Sequence, residues 1–155
     1  SPLEVYNKPV NMFVAGFIGS PQMNFFNVHY KDGRISDGKG LNIGIPEGKA
    51  KMLNEKGYND KDLVFGIRPE DLVYSEKPVG KDNMQMKITN KEPLGAETHL
   101  YLVSNKGQTM IAKTNANAEF RLGETINVVP NMEKAKFFST EEGEKNICDA
   151  IEVNW

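Results

Sequence analysis

The sequence predicts a mainly β chain with one short helix at its N-terminus. Three observations predict it. From residue 26 onward, apolar and polar residues alternate with period 2 in a series of short segments. Turn signals separate those segments, Asp32-Gly33 and Asn105-Lys106-Gly107 among them. A clear period of 3.6 is confined to the first twenty or so residues. Short strands at regular spacing with turns between them imply a sandwich or a barrel.

The helix opens at Pro9 and is stopped by Gly19, the usual asymmetry of helix ends. Val10, Phe13, Val14, Phe17 and Ile18 fall at i, i+3, i+4, i+7 and i+8 and make one apolar stripe. A helix this short is marginal alone in water, so its stripe must dock on a partner. Phe26, Val28 and Tyr30 then alternate with Asn27 and His29 as a strand. Asp32-Gly33 turns the chain, and Ile35 begins the return. Leu41, Ile43 and Ile45 form the next strand, ended by Pro46. Residues 47–57 read either as a weak helix ending at Gly57 or as a mobile loop. Leu63, Phe65 and Ile67 alternate into Arg68-Pro69, where proline ends the ladder.

The second half follows the same rule. Met84, Met86 and Ile88 face one way, and Gln85, Lys87 and Thr89 the other. Leu100 and Leu102 alternate with Tyr101 and Val103, and Gly107 takes a left-handed position in the hairpin that follows. Met110 with Ala112, Ile126–Val129 and Ala135–Phe138 complete the strands. Leu94–Thr98 reads as a turn leading into a strand.

Composition narrows the class. At 155 residues the chain is one domain, or one domain with a small appendage, and can bury a core without disulfides or metals. Nineteen basic residues against 21 acidic ones give a formal charge of −2, which argues against a nucleic-acid binder. Cys148 stands alone, forms no internal disulfide and reads as a buried, inert thiol in a reducing compartment. No apolar run approaches the roughly 18 residues needed to cross a bilayer.

Catalytic chemistry is sought and not found. Gly33-Arg34-Ile35-Ser36-Asp37-Gly38-Lys39-Gly40 matches G-x-x-x-x-G-K, but Gly40 stands where a phosphate loop needs Ser or Thr. The following Leu41–Ile45 reads as strand where a helix is required, so the segment is a Gly-rich hairpin. His29 and His99 sit on strands facing away from the apolar set, without a Cys or carboxylate at ligand spacing. They read as surface or subunit-interface histidines. Asp60 and Asp62, like Glu141, Glu142 and Glu144, read as solvated acidic faces.

Three segments carry a family resemblance. Residues 1–26 follow P-x-E-V/L-Y-x-x-P-x-x-x-F-V-A-x-F-I-G-x-P-x-M-N-F, matched at Pro2, Glu4, Val5, Tyr6, Pro9, Phe13, Val14, Ala15, Phe17, Ile18, Gly19, Pro21, Met23, Asn24 and Phe25. Phe65-Gly66-Ile67-Arg68-Pro69-Glu70-Asp71-Leu72 resembles a G-I-R-P-E-x-L signature, and Glu92-Pro93-Leu94-Gly95-Ala96-Glu97-Thr98 an E-x-L-G-x-E-T one. In this order and spacing they resemble the ATP-hydrolysing subunits of ABC-class carbohydrate importers of the maltose and glycerol-phosphate type. Residues 47–62 and 140–155 carry no family motif.

The resemblance implies the C-terminal regulatory domain of such a subunit, an OB-like β-barrel. Residues 1–22 would be the terminal helix and linker from a missing nucleotide-binding domain, and residues 23–155 the regulatory domain. This fragment would have no enzyme activity, metal or cofactor of its own, with ATP and Mg²⁺ held by the missing domain. Its partners would be a second copy in a homodimer, the nucleotide-binding domain of the same chain and, through the parent, the permease subunits, with no nucleic acid. The parent would be cytoplasmic, peripheral on the inner face of the cell membrane. The alternative is a small-oxyanion-binding barrel related to molybdate-binding domains, with N–H donors from Gly38-Lys39-Gly40.

Arg68, Glu70, Gly95 and Glu97 are the interface or regulatory candidates, since they stand in the two internal signatures. Arg68 and Glu97 are charges set among Gly, Pro and apolar neighbours, a setting in which a charge needs a partner. The expectation is that they pair with each other, with Glu70 as the local rival for Arg68.

Overall fold

The computed structural model describes residues 22–75, 77–78, 82–115 and 119–140. The predicted helix at Pro9–Ile18 and Cys148 lie outside the described residues. The described chain is mainly β: two five-stranded antiparallel sheets enclose one apolar core.

The first sheet begins with β1 (Asn24–Lys31), which returns through Asp32-Gly33 as β2 (Arg34–Ser36). Both turn residues have positive φ, 49° and 80°, the combination a two-residue type I′ hairpin requires. β3 (Asn42–Gly44) pairs with β2, so the Gly33–Gly40 segment is a strand-to-strand hairpin as expected. β4 (Lys61–Ile67) lies against the other side of β1, and β10 (Lys136–Phe138) against β4. Register brings Phe26 opposite Phe65 and Phe65 opposite Phe137. The three rings stack across three strands with centroids 5.7 and 5.8 Å apart.

Residues 47–57, open between helix and loop in the sequence, contain a helix, α1 (Glu47–Glu55). Its C-terminus is a Schellman stop: Gly57 has φ 82°, its N–H donates to Asn54, and the Tyr58 N–H donates to Leu53. Leu53 enters the core, and the buried Lys49 ammonium donates to the Ala135 carbonyl at 3.0 Å. Tyr30 reaches out of β1 to donate to Asn54 Oδ1 at 2.7 Å. These contacts hold a helix whose own sequence is weak.

The second sheet consists of β5 (Leu72–Ser75), β6 (Met84–Leu94), β7 (Glu97–Val103), β8 (Thr109–Asn115) and β9 (Thr125–Pro130), in the order β5-β9-β6-β7-β8. Here the structure corrects one expectation. β6 runs beyond the Met84–Thr89 alternation, through Pro93 to Leu94, and of the turn expected over Leu94–Thr98 only Gly95-Ala96 remain. Proline is accepted because β9 pairs with β6 only over Met84–Lys87, leaving the far part of β6 with one neighbour. Gly95 has φ 75° at the first central position, the type II′ geometry that favours glycine there.

Glycine 66 has a different reason. A Cβ there would stand 2.6 Å from Met23 Sδ and 3.1 Å from Phe138. Met23, Val64 and Phe138 form a second small apolar cluster over this glycine, with Phe25 packed against it. The Met23 of the first family motif and the Gly66 of the second are thus in contact through packing.

Candidate functional site

The two internal signatures converge on the edge of the second sheet. After Arg68, Pro69–Asp71 makes one turn of 3-10 helix, closed by the Asp71 N–H on the Arg68 carbonyl at 2.9 Å. Asn131 in turn donates its N–H to Asp71 O at 2.8 Å, which fixes the entry into β5. Burial pushes the Asp71 carboxyl up, and the neighbouring Glu70 charge adds to that, against Lys134, Arg68 and Lys136. From the other signature, the Gly95-Ala96 turn delivers Glu97 at the first position of β7.

Glu70 and Glu97 line one cleft of about 510 Å³, together with Leu72, Val73 and Tyr74 of β5 and Lys113, Thr114 and Asn115 of β8. β5 and β8 are the two terminal strands of their sheet, so the cleft is the seam where the sheet curls back without closing its ladder. Side chains close it instead. The Tyr74 hydroxyl donates to Thr114 Oγ1 across the seam, and the Tyr74 ring packs edge-on against Phe120 at 5.0 Å. Asn24, at the start of β1, places its carboxamide against the outer edge of β8 at Ile111.

Four predicted candidates are placed as follows. Glu70 and Glu97 share the cleft; Gly95 shapes the turn behind Glu97; Arg68 is buried, 5 % exposed, one residue before the Pro69 turn. The expected pairing of Arg68 with Glu97 is not what forms. Glu97 Oε2 accepts instead from His99 Nε2 at 3.0 Å and from Lys113 Nζ at 3.2 Å. The reason is register: β7 places His99 two residues from Glu97 on the same face, and β8 places Lys113 directly opposite His99. Loss of water pushes the Glu97 carboxyl up, but the hydrogen bonds and charges of His99 and Lys113 outweigh it and hold the group below the ordinary glutamate range.

His99 corrects a second expectation. It alternates with the core residues Leu100 and Leu102, as predicted, yet it is only 4 % exposed. Its ring lies between Glu97 and Glu92, whose Oε1 is 3.7 Å from Nδ1 and accepts from the Tyr101 hydroxyl at 3.3 Å. Glu92 and His99 are direct cross-strand partners. His29 also has carboxylates that linear spacing hid. Asp62, its partner in register on β4, meets Nδ1 at 2.8 Å, and Asp60 meets Nε2 at 2.8 Å. The Asp60/Asp62 pair is a clasp on His29 as well as a solvated face.

The Gly38-Lys39-Gly40 turn already holds an anion of its own. Asp37 Oδ1 accepts from the N–H groups of Lys39 at 2.7 Å and Leu41 at 3.0 Å. Ser104 takes the Lys39 carbonyl at 2.9 Å. The Lys39 N–H that an external oxyanion would use here is engaged by a carboxylate.

Sequence reasoning missed Tyr74, Lys113, Thr114, Asn115 and His99 as members of the seam. The Glu97-x-His99 spacing on a strand was the available signal, since residues i and i+2 share a face. Asn24 was noted only as part of a motif.

Comparison with known proteins places this architecture. Residues 19–72 match the family model of the MalK OB fold domain, and residues 65–138 match that of the TOBE domain. The multiple sugar-binding transport ATP-binding protein MsmK of Streptococcus mutans is 43 % identical over 145 residues, covering 91 % of this chain and 38 % of that protein. The oligosaccharides import ATP-binding protein MsmX of Bacillus subtilis is 40 % identical, covering 91 % and 39 %. The trehalose/maltose import ATP-binding protein MalK of Thermococcus litoralis is 35 % identical, covering 92 % and 39 %. The chain therefore spans about two fifths of the length of these relatives. Among solved structures, the cytoplasmic molybdate-binding protein ModG superposes with a TM-score of 0.63 at 12 % identity, over 74 % of this chain and 94 % of that one, a likeness of fold. With the two family matches running from residue 19 to residue 138 and the signature residues gathered at one seam, the chain belongs to the MalK OB fold and TOBE domain families.

Proposed function

We propose that this chain is the regulatory and dimerisation domain of the ATP-hydrolysing subunit of a sugar importer, without an ATP site of its own. The observation that carries the reading is the convergence of the two internal signatures on one open seam. Glu70 and Glu97 are 27 positions apart in sequence and line the same cleft. Charged residues kept at an open seam suit contact with another domain or subunit better than they suit core stability.

In this reading the nucleotide-binding domain, with its ATP and Mg²⁺, belongs to the part of the parent protein not represented in this chain. The permease subunits are reached through that parent, on the cytoplasmic face of the membrane. Two regulatory domains in lasting contact keep the two motor halves at high effective concentration when the nucleotide domains part after hydrolysis. A regulator that binds this domain acts only through a difference in affinity for the open and closed forms.

Sedimentation equilibrium tests the dimer: a concentration-dependent shift to twice the monomer mass supports it, and a monomer throughout the accessible range overturns it. A chain starting at Met23 must keep the association, or the N-terminal apolar stripe is its cause. Equilibrium dialysis with labelled ATP and Mg²⁺ tests the absence of a nucleotide site, which saturable micromolar binding would refute. The oxyanion alternative predicts heat on titration with molybdate or tungstate, and the Asp37 carboxylate seated on the Lys39 and Leu41 N–H groups speaks against it.

A further inference from the structure

A second cleft, of about 470 Å³, lies on the outer face of the second sheet, where a loop of the first sheet reaches it. Gln85 and Lys87 alternate with the core residues Met84, Met86 and Ile88, so both stand on the outer face of β6. Lys87 is in register with Thr125 of β9 on one side and with Val103 of β7 on the other, which sets the three side chains in one row across three strands. Gly40, from the loop between β2 and β3, lines the same cleft with Ser104 and Asn105 of the β7–β8 loop. The junction of these two loops is built by the protein itself. Ser104, 7 % exposed, donates its hydroxyl to the Lys39 carbonyl at 2.9 Å and accepts the Gln108 N–H at 3.0 Å. Gly40 has φ 111°, and a Cβ there would stand 3.5 Å from the Ser104 Cβ, so the two loops touch through a residue with no side chain.

The chemistry of this lining sets it apart. The seam cleft holds Glu70 and Glu97, and both clefts beside His29 hold Asp62. This cleft is lined by no carboxylate, and Lys87 is its one charge. The acids next in sequence are turned to other partners: Asp82 to Arg34 at 2.8 Å, and Glu124 to the Arg121 N–H at 2.9 Å. Among the described residues, the Lys87 ammonium, the Gln85 amide and the Thr125 hydroxyl have no side-chain partner. We propose that this cleft binds a small sugar acid, a polyol carrying one phosphate or carboxylate group. The ammonium receives the anionic group. Amide and hydroxyl side chains both donate and accept, as the hydroxyls of a sugar do, and Val103 offers an apolar patch to the C–H face of its ring. No aromatic side chain lines the cleft, so a nucleobase has nothing to stack on. The volume falls within the range of about 300–1,000 Å³ usual for small-molecule sites. The inference goes beyond the dimerisation reading and stands whether or not the chain dimerises.

The test is an NMR chemical-shift titration of the whole 155-residue chain near neutral pH with glucose-6-phosphate, glucuronate, glucose and inorganic phosphate in turn. The two sugar acids should shift the amides of Gln85, Lys87, Asn105 and Thr125 saturably. Glucose and inorganic phosphate, each carrying half of the chemistry, should bind about tenfold more weakly. Lys87→Gln should weaken the sugar acids about tenfold and Lys87→Arg should retain them, with thermal melts verifying that both exposed substitutions leave the fold intact. Saturation by either sugar acid supports the inference, and the tighter of the two names the charged group. No saturable shift, shifts centred elsewhere, or binding indifferent to Lys87→Gln overturns it. Inorganic phosphate matching glucose-6-phosphate also overturns it, since that marks an adventitious anion spot without sugar recognition. Sedimentation of the same samples reads the dimer separately: a monomer that binds the sugar acids removes the dimer reading alone, and a dimer that binds none of them removes this one alone.

Discussion

The carboxamide of Asn24 and the backbone of Ile111, 87 residues apart, form a two-bond bridge of the kind that normally joins two strands. The same Nδ2 also reaches the Ile67 carbonyl at 3.2 Å, so one side chain links the start of β1 to both β4 and β8. Replacing Asn24 by Ala removes three partly buried hydrogen bonds and should cost about 2–3 kcal/mol. Asn24→Asp keeps the acceptor but sets a carboxylate against two carbonyls, and should cost at least as much. Urea denaturation reads the loss as a lower midpoint at unchanged slope.

The His29 clasp should make stability fall as pH rises. Both ring nitrogens lie 2.8 Å from a carboxylate oxygen, and only the doubly protonated ring donates to both. The hydrogen bond to Asp62 first, and that to Asp60 next, raise the His29 pKa above its ordinary 6.5. The folded value exceeds the unfolded one, so the contribution is complete below about pH 6.5 and disappears as pH climbs through the folded value. Asp60 behaves oppositely. Its pKa is lowered, by His29 foremost and then by Lys31, so its share is present above its unfolded value and lost as pH falls through the folded one. Thermal melts from pH 5 to pH 8 should show this decline in the parent chain and a flatter profile in His29→Gln. An NMR titration placing the ring at or below 6.5 would contradict the clasp.

Glu97 should couple to Lys113 and not to Arg68. The carboxylate is shared between His99 and Lys113, which stand in register on neighbouring strands. In double-mutant cycles, Glu97→Ala with Lys113→Ala should depart from additivity. Glu97→Ala with Arg68→Ala should be additive within error. The reverse pattern would restore the pairing that the sequence suggested.

Gly66→Ala should destabilise the first sheet although Gly66 lies in an ordinary strand. The added Cβ meets Met23 Sδ at 2.6 Å and Phe138 at 3.1 Å, and overpacking of this kind costs about 1–3 kcal/mol. Met23→Ala in the same chain should relieve part of that loss, since it removes the nearest obstructing atom. Chemical denaturation of the two single variants and the double variant checks both statements.

Most of the strand pattern was legible because each strand buries one face, and burial writes itself into alternation. Val28 and Tyr30, Leu63 and Phe65, and Leu100 and Leu102 all enter the core on schedule. The Asp32-Gly33 turn was legible because its positive φ angles leave few other residues possible. α1 stayed ambiguous because what holds it is tertiary: Tyr30 on Asn54, and Lys49 on Ala135. The run of β6 through Pro93 was hidden because a proline's acceptability depends on how far the neighbouring strand extends. At the site, the two signatures pointed to Glu70 and Glu97, but the partners were set by register across β7 and β8. No local pattern brings Tyr74 to Thr114, 40 residues away.

The order of the strands has a consequence for how this domain is made. The second sheet is drawn from one unbroken stretch of chain, Leu72 to Pro130. The first sheet is not: Asn24–Ile67 supplies four of its strands, and β10 arrives only at Lys136–Phe138. On a growing polypeptide the Phe26–Phe65 stack must therefore wait for Phe137 while the whole second sheet is synthesised. Until then an apolar ring and the edge of β4 stand open, the kind of surface that invites aggregation and chaperone capture. The last few residues of β10 thus act as a latch, and a ribosome that stops at Pro130 releases a chain with one finished sheet and one unguarded one.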